Sequence, residues 1–439
     1  VAQNPGSLNQ ELLEADRFQA FSNNVRQQTG KDGRQAQVGV WARQPLGKLE
    51  VEGSAQLQRR EIVNPIPTTI IDLNRNGGGA RALVRGSLGK GERAATWTVG
   101  GDWDLQFDER QNHANQQGER GALALDQSER VTALGAFTQL HLPLAGALSL
   151  MGSLRADHFR FQFQGRLPDP TDSGSRSMGE VSPSVGVVWR PHPVAGVYAN
   201  FATAFETPTT TELANRPDEV GGFNPELEPQ RTRSYEAGIR GDAARGLSYE
   251  LAVYQANISD ALIRFQVPNA PGRDFFRNAG SAVHRGFEAA FAVSPLPALT
   301  VQATHSYTDA RFREYTVGDA DFAGNRVPGV APHRTNAGLV YRLTNDFFVG
   351  ADGVRVSEIP VEDADREGTA SPAYTLVSAR VGHNRVRLGS VDVAPFLGVN
   401  NLLDAEYNTA VTVNAFGNRY YEPGPQRALY FGLEVGAGR

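Results

Sequence analysis

The sequence predicts an all-β fold, an antiparallel transmembrane β-barrel. Three observations carry that prediction: polar and apolar residues alternate with period two over long stretches, short and long connections follow one another in strict order, and no apolar run suits a spanning helix. Alternation sustained over eight or more residues marks a strand with one wet and one greasy face. A spanning helix needs about 20 consecutive apolar residues. The richest stretch, Leu140 to Leu154, is broken by His141, Pro143 and Gly146. A mean hydropathy of −0.38 fits a barrel wall in which every second side chain faces water.

The alternation is clearest from Ala95 to Phe107. Odd positions read Ala95, Trp97, Val99, Gly101, Trp103, Leu105 and Phe107, against Thr96, Thr98, Gly100, Asp102, Asp104 and Gln106. Leu49, Val51, Gly53, Ala55 and Leu57 oppose Glu50, Glu52, Ser54, Gln56 and Gln58, and Leu429, Phe431, Leu433 and Val435 oppose Ala428, Tyr430, Gly432 and Glu434. Strands of a soluble sandwich average about five or six residues, whereas these run for roughly eight to thirteen, which suits a bilayer. The polar face carries Asp102, Asp104, Glu236, Glu288 and Glu434. Such carboxylates are costly in a small packed core and tolerable in a wet or plugged lumen. Trp97, Trp103, Phe107 and Phe431 are expected on the lipid face.

Outer-membrane barrels join short periplasmic turns to longer extracellular loops. Turn-like links are expected at Gln44–Lys48, Leu88–Arg93, Pro143–Gly146, Pro191–Val194, Ala243–Gly246, Pro295–Ala298, Thr344–Asp346 and Arg385–Ser390. Between them stand polar or Gly/Pro-rich links expected to be loops: Glu61–Gly77, Glu109–Gln127, Gln162–Arg176, Glu206–Glu228, Gln266–Gly272, Ala310–Gly329, Glu358–Thr369 and Ala405–Pro425. The acidic run Glu362 to Glu367 reads as solvated loop. This gives about seventeen strands across residues 34–435, with 1–33 the end of an extracellular loop and 436–439 a periplasmic tail. Closed bacterial walls have even strand counts, and Val1 follows no leader pattern. A further upstream part is therefore expected.

Other functions find little support. There are no cysteines, and the eight histidines are scattered singly without metal-ligand spacing. No nucleophile elbow or HExxH pattern exists, so no enzyme is expected. A net charge of −5 leaves no electrostatic footprint for nucleic acid.

Four runs of residues resemble the TonB-dependent outer-membrane receptors. They are YANFATAFETPTTTEL at Tyr198–Leu213; NPELEPQ at Asn224–Gln230 followed by Ser234, Tyr235, Glu236, Ala237 and Gly238; FRNAGS at Phe276–Ser281 followed by Gly286, Phe287 and Glu288; and VNNLLDAEY at Val399–Tyr407 with YYEPGPQR at Tyr420–Arg427. The resemblance covers the barrel half of the family. It implies a presumed 22-stranded barrel, of which these are about 17 strands, and a plug domain absent from the chain. It also implies a bacterial outer-membrane siderophore-receptor-like transporter coupled through the missing plug to a TonB-type energy-coupling protein, embedded in outer-membrane lipid and inserted by the barrel assembly machinery. The family often closes on an aromatic residue, whereas this chain ends Val435, Gly436, Ala437, Gly438, Arg439.

Cargo residues are expected on the extracellular loops. Asn414, Phe416, Asn418, Arg419, Tyr420 and Tyr421 combine amides, a cation and aromatic faces, and Arg273, Arg277 and Asn278 offer cations and an amide. An iron chelate is a polar, often anionic cargo that needs such groups; iron enters only as part of it, with no built-in cofactor. The alternatives are that Tyr420 and Tyr421 belong to an aromatic girdle, and that Arg273, Arg277 and Asn278 hydrogen-bond within the lumen. Glu206, Thr207 and Thr209–Glu212 read as a loop-anchoring turn. Glu236, Arg240, Glu288 and Arg380 are expected to pair with one another or with the plug. A passive porin-like or adhesin-like barrel is the competing function.

Overall fold

The computed structural model describes residues 2–171, 173–192, 194–217, 222–243, 246–270 and 273–437. One antiparallel sheet of nineteen strand segments forms a curved wall. Seventeen of them are wall strands. These are β1 (Gly30–Leu46), β2 (Leu49–Pro65), β3 (Thr69–Leu88), β4 (Ala95–Gln116), β5 (Glu119–Pro143), β6 (Leu148–Leu167), β7 (Ser173–His192), β8 (Ala195–Glu206) and β9 (Gln230–Ala243). They continue as β10 (Leu247–Ser259), β11 (Ser281–Leu296), β12 (Leu299–Glu314), β13 (His333–Arg342), β14 (Phe347–Val356), β15 (Tyr374–His383), β16 (Val391–Asn400) and β17 (Ala428–Ala437). Val386–Leu388 carries β15 on beside β16, and Ala2–Gln3 pairs with the first residues of β1. Each wall strand pairs with its sequence neighbour. Among the described residues β1 and β17 do not pair with each other, so the ladder is open there. Gly438 and Arg439, at the end of the expected tail, lie outside the described residues.

The two faces fall as the alternation requires. Gln56, Gln58, Asp102, Asp104, Gln106, Arg155 and Asp157 line one hollow. Val38, Val40, Ala55, Leu57, Trp103, Leu105 and Phe107 line a groove on the opposite face. On β17, Leu429, Phe431, Leu433 and Val435 are all exposed on a single face. The longest helix among the described residues, α1 (Gln10–Ala15), has six residues. No helix of the described residues is long and apolar enough to cross a membrane.

All eight short turns fall where the sequence placed them, with the described parts of each joining consecutive strands. Three of the expected loops are corrected. Glu61–Gly77, Glu109–Gln127 and Gln162–Arg176 are mostly strand, reduced among the described residues to tips at 66–68, 117–118 and 168–171. The Gln117–Gly118 tip has φ of 59° and 93°, the left-handed pair of a two-residue hairpin. β4 has 22 residues, about 70 Å at strand rise, where about 9–11 residues suffice to span. Its outer half therefore stands beyond the hydrocarbon, with Asp108 and Arg110 on its inner face buried, and the hydrophobic alternation fades while the hydrogen-bond ladder continues. Ion pairs on that projecting wall replace the lost apolar signal. Arg120 meets Asp72 at 2.6 Å, and Arg166 meets Glu109 and Asp126 at 2.5 Å each.

Inside the wall, glycines make room for aromatic rings. A Cβ on Gly286 would lie 2.0 Å from the Tyr307 carbonyl oxygen and 2.7 Å from the Tyr254 hydroxyl. Of the lumen charges, Glu236 accepts from Asn200 at 3.3 Å, Arg240 lies over Tyr198 and Arg380 over Phe348. The last two thus stack on rings, and among the described residues no ion pair joins these groups to one another.

Candidate functional site

The loops gather at the rim opposite the short turns. The link between β8 and β9 carries α2 (Thr210–Ala214), opened by a capping box in which Thr209 Oγ1 accepts from Glu212 N–H at 3.2 Å and Glu212 accepts from Thr209 N–H at 2.7 Å. This is the anchoring turn the sequence suggested. Leu213, Ala214, Phe223 and Leu227 pack onto Phe161 and Met178, so the link folds against the wall. Beneath it Arg110 and Glu129, both essentially without exposed side chain, pair at 2.5 Å, and Arg110 also donates to Thr211 Oγ1 at 3.2 Å. A buried pair keyed to a loop hydroxyl fixes where that loop sits.

The link from β10 to β11 is a hairpin, Leu262–Phe265 against Phe275–Asn278. The link from β16 to β17 carries a second, Asn408–Val411 against Tyr421–Pro423, with a helical turn at Phe416–Asn418. The two touch. Asn414 Nδ2 donates to the Arg264 carbonyl at 2.9 Å, and the Phe416 N–H donates to Gln266 Oε1 at 3.2 Å. The structure thus brings together the two separate stretches from which the candidate residues were drawn.

Their side chains divide in two. Asn414 also donates to Asp363 Oδ1 at 3.0 Å and accepts from its N–H at 2.9 Å. Asn278 accepts from Glu228 N–H at 2.8 Å and donates to the carbonyls of Glu228 and Asp260 at 2.9 and 2.7 Å. Tyr420 donates to Glu362 at 2.6 Å and Tyr421 to the Thr369 carbonyl at 3.0 Å, each ring 4% exposed. These four hold loops to one another. The girdle alternative for the two tyrosines is corrected: they are buried with Val361 and Ala415 in a small core between loops.

The second group offers cations and an apolar face. The Arg277 guanidinium lies 3.9 Å over Phe265, with Nε buried and without a hydrogen-bond partner. Arg419 lies 4.1 Å over Phe21 and donates to the Phe416 carbonyl at 3.2 Å, and burial lowers its pKa. Arg273 donates to Asn215 at 3.2 Å, and Phe416 is exposed. Arg419 also lines a cavity of about 180 Å³ with Arg264, Gln266, Asp274, Thr412 and Glu422.

The run Glu362 to Glu367 is corrected as well. Glu362 and Asp363 are 6% and 7% exposed, because Tyr420, Arg366, Tyr315 and Asn414 satisfy them. Burial pushes Glu362 up, but hydrogen bonds from Arg366, Tyr420 and Thr369 outweigh it and hold the carboxyl below its usual range. Burial dominates at Asp363 and raises it. Burial likewise raises the Tyr315 and Tyr420 hydroxyls, reinforced by Asp363 and Glu362. Arg264, Gln266, Asp274 and Tyr315 were not singled out by sequence, and Glu362 was read only as solvated loop; the run at Leu262–Phe265 facing Phe275–Phe276 across a Pro/Gly link was the available hairpin signal. Among the described residues no group of three His, Asp or Glu side chains is placed to hold a metal ion.

The profile for the β-barrel of TonB-dependent receptor-like proteins matches residues 9–402. The chain belongs to this family, whose members are receptors of the bacterial outer membrane and not enzymes. It is 26% identical over 267 residues to the metal-pseudopaline receptor CntO of Pseudomonas aeruginosa, covering 60% of this chain and 34% of that protein. It is 29% identical over 217 residues to the ferrioxamine B receptor of Salmonella typhimurium, covering 48% and 28%. The chain thus spans about a third of the length of these relatives. The unliganded ferric citrate transporter FecA superposes with a TM-score of 0.78 at 19% identity, covering 98% of this chain and 65% of that one. For the copper transporter OprC the values are 0.73, 15%, 94% and 66%.

Proposed function

We propose that this chain forms most of the wall and the extracellular mouth of an outer-membrane transporter that binds and imports a metal chelate, an iron–siderophore complex first among them. The observation that carries the reading is the meeting of the β10–β11 hairpin with the β16–β17 loop, which gathers cations and an exposed aromatic at the mouth. The curated relatives' printed cargoes, metal-pseudopaline and ferrioxamine B, point to the same class. Arg273, Arg277, Arg419 and Phe416 contact cargo in this reading, guanidinium forks suiting carboxylate, hydroxamate or catecholate oxygens. Asn278, Asn414, Tyr420 and Tyr421 position the loops that carry them. A cavity of about 180 Å³ falls short of the ~300–1,000 Å³ of ordinary ligand sites, so a whole chelate lies across the mouth with only one arm entering it.

Iron arrives with the cargo, and no resident cofactor is part of the reading. Residues 2–29 end an extracellular loop, β17 carries the wall to Ala437 on the periplasmic side, and further strands join the one-sided edges of β1 and β17. A plug domain occupies the lumen and takes energy from a TonB-type partner. Outer-membrane lipid and the barrel assembly machinery complete the partners; nucleic acid is not among them. Equilibrium binding of the purified full-length protein to ferric hydroxamate, catecholate and citrate chelates tests the site. Arg277→Ala and Arg419→Ala are expected to weaken one of these at least about tenfold, a loss of charge-assisted contacts. Unchanged affinity in both variants would remove the site assignment.

A further inference from the structure

The wall forks between β7 and β8. Their ladder climbs from the short turn to Ser184, paired with Ala202, and goes no further. Above that point β7 runs on to Ser173 beside β6 in unbroken register, while β8 stays with β9 and its link turns inward onto Phe161 and Met178. Residues 173–183 are thus paired on one side only. Thr203 Oγ1 donates to the Pro183 carbonyl at 3.3 Å, which puts the Pro183 peptide groups on the open side. The N–H and C=O of a strand residue share a side, and that side recurs every second residue. With no bulge in the β6–β7 register, Ser173, Ser175, Ser177, Gly179 and Val181 therefore turn their backbone groups into the fork. The Glu180 carboxylate accepts from Val181 N–H at 3.3 Å, and Pro183 has no N–H. The other four N–H groups meet no acceptor among the described residues.

Native sheets guard such an edge with lysine, proline, a bulge or an inward charge. Here Pro183 and the Arg231–Glu180 pair at 2.6 Å close the foot of the fork. Above them Ser173, Ser175, Ser177 and Gly179 are exposed, and none has a side chain long enough to bar a neighbouring strand. Pro183 stands nine residues and Ser173 nineteen before the short-turn end of β7 at His192. About nine to eleven residues carry a tilted strand across the hydrocarbon, so the free edge lies in water on the side of the loops. Charge selects its occupant. Arg231, Arg233 and Arg313 line a cleft of about 470 Å³ at the foot of the fork, together with Glu180, Val181 and Pro183. Arg231 is committed to Glu180 and to Asp260, at 3.5 Å. Arg233 and Arg313 are exposed and, among the described residues, meet no carboxylate. The same edge of a second copy would bring only serines and glycine to these cations, whereas an acidic strand answers both the free backbone and the free charge.

We propose that the free edge of β7 takes up an extended acidic segment of a partner protein as an added strand, its backbone on residues 173–179 and its carboxylates on Arg233 and Arg313. Fluorescence anisotropy with the full-length protein in detergent tests this, using labelled peptides of about ten residues, the length such an edge accommodates. One alternates Thr and Glu, one alternates Thr and Lys, and one is the Thr–Glu peptide N-methylated throughout. The Thr–Glu peptide is expected to bind saturably and the other two at least about tenfold more weakly, since added strands are held by main-chain hydrogen bonds and selected by charge. Ser177→Pro removes one edge N–H at a position where a strand tolerates proline, and is expected to weaken the Thr–Glu peptide at least about tenfold. Arg233→Glu/Arg313→Glu is expected to reverse the preference in favour of the Thr–Lys peptide. Heat-modifiable electrophoretic mobility reports that the variants are folded barrels, and the N-methylated peptide on the wild type carries the test should Ser177→Pro not fold. No saturable binding of the Thr–Glu peptide, equal binding of its N-methylated form, or undiminished binding by a folded Ser177→Pro variant would each overturn the proposal. Chelate binding is not involved, so this outcome stands apart from that of the cargo reading.

Discussion

Arg110 and Glu129 illustrate how single residues set the mouth. With side chains 3% and 0% exposed, neither charge can be solvated once the other is removed. Arg110→Met is expected to cost about 3–5 kcal/mol of unfolding free energy, and Arg110→Met/Glu129→Leu to recover part of it. Urea titration of the folded barrel in lipid vesicles measures both, and a single variant as stable as wild type would contradict the assignment. Glu362 supplies a pH-dependent counterpart. It is faced by Arg366, Tyr420, Tyr421 and Asp363, and its carboxyl is held low. Its contribution is therefore present above the ordinary carboxylate value and lost as pH falls through its lowered folded value. Asp363, raised by burial, works in the opposite sense. Hydrogen exchange over residues 358–372, corrected for intrinsic rates, is expected to speed up below about pH 4 relative to the wall strands. Tyr420→Phe is expected to show that faster exchange already at neutral pH.

Strands and loops differ in how far their residues announce them. Period-two alternation located the membrane-spanning halves of β2, β4 and β17, because lipid on one side and water on the other write opposite chemistry onto successive residues. The projecting halves of β3 to β6 were not legible, since Asp72, Glu109, Asp126 and Arg166 alternate in nothing where neither face meets lipid. The candidate residues of the β16–β17 loop were visible as types. Their division into loop pins and open cations was not, because it depends on Asp363, Arg264 and Gln266, which lie 50 to 150 positions away. Packing between strands is tightest where glycine faces a ring or a carbonyl. Gly286→Ala places a methyl against the Tyr307 carbonyl and the Tyr254 hydroxyl. A destabilisation of about 1–3 kcal/mol is expected, against less than about 0.5 kcal/mol for Gly436→Ala, whose Cβ would meet nothing within 4 Å. Similar losses at both positions would show that the inner-face contact carries no weight.

At the scale of the whole molecule, a wall of long antiparallel strands, wet on its inner face and apolar on its outer face, supports two fates for a solute. It diffuses through an open lumen, or it is captured by loops and admitted only when energy is supplied. The buried loop core of Val361, Ala415, Tyr420 and Tyr421 and the α2 link folded onto Phe161 and Met178 favour capture, since a sieve needs no such interlocked mouth. Uptake of radiolabelled iron by cells lacking the gene, with and without its reintroduction, tests this most directly when run over a panel of ferric chelates in the presence and absence of the energy-coupling system. The account predicts that the gene restores uptake of at least one chelate and that removing energy coupling abolishes it. Restoration that persists without energy coupling, or that extends only to a glycan or vitamin substrate, would contradict it.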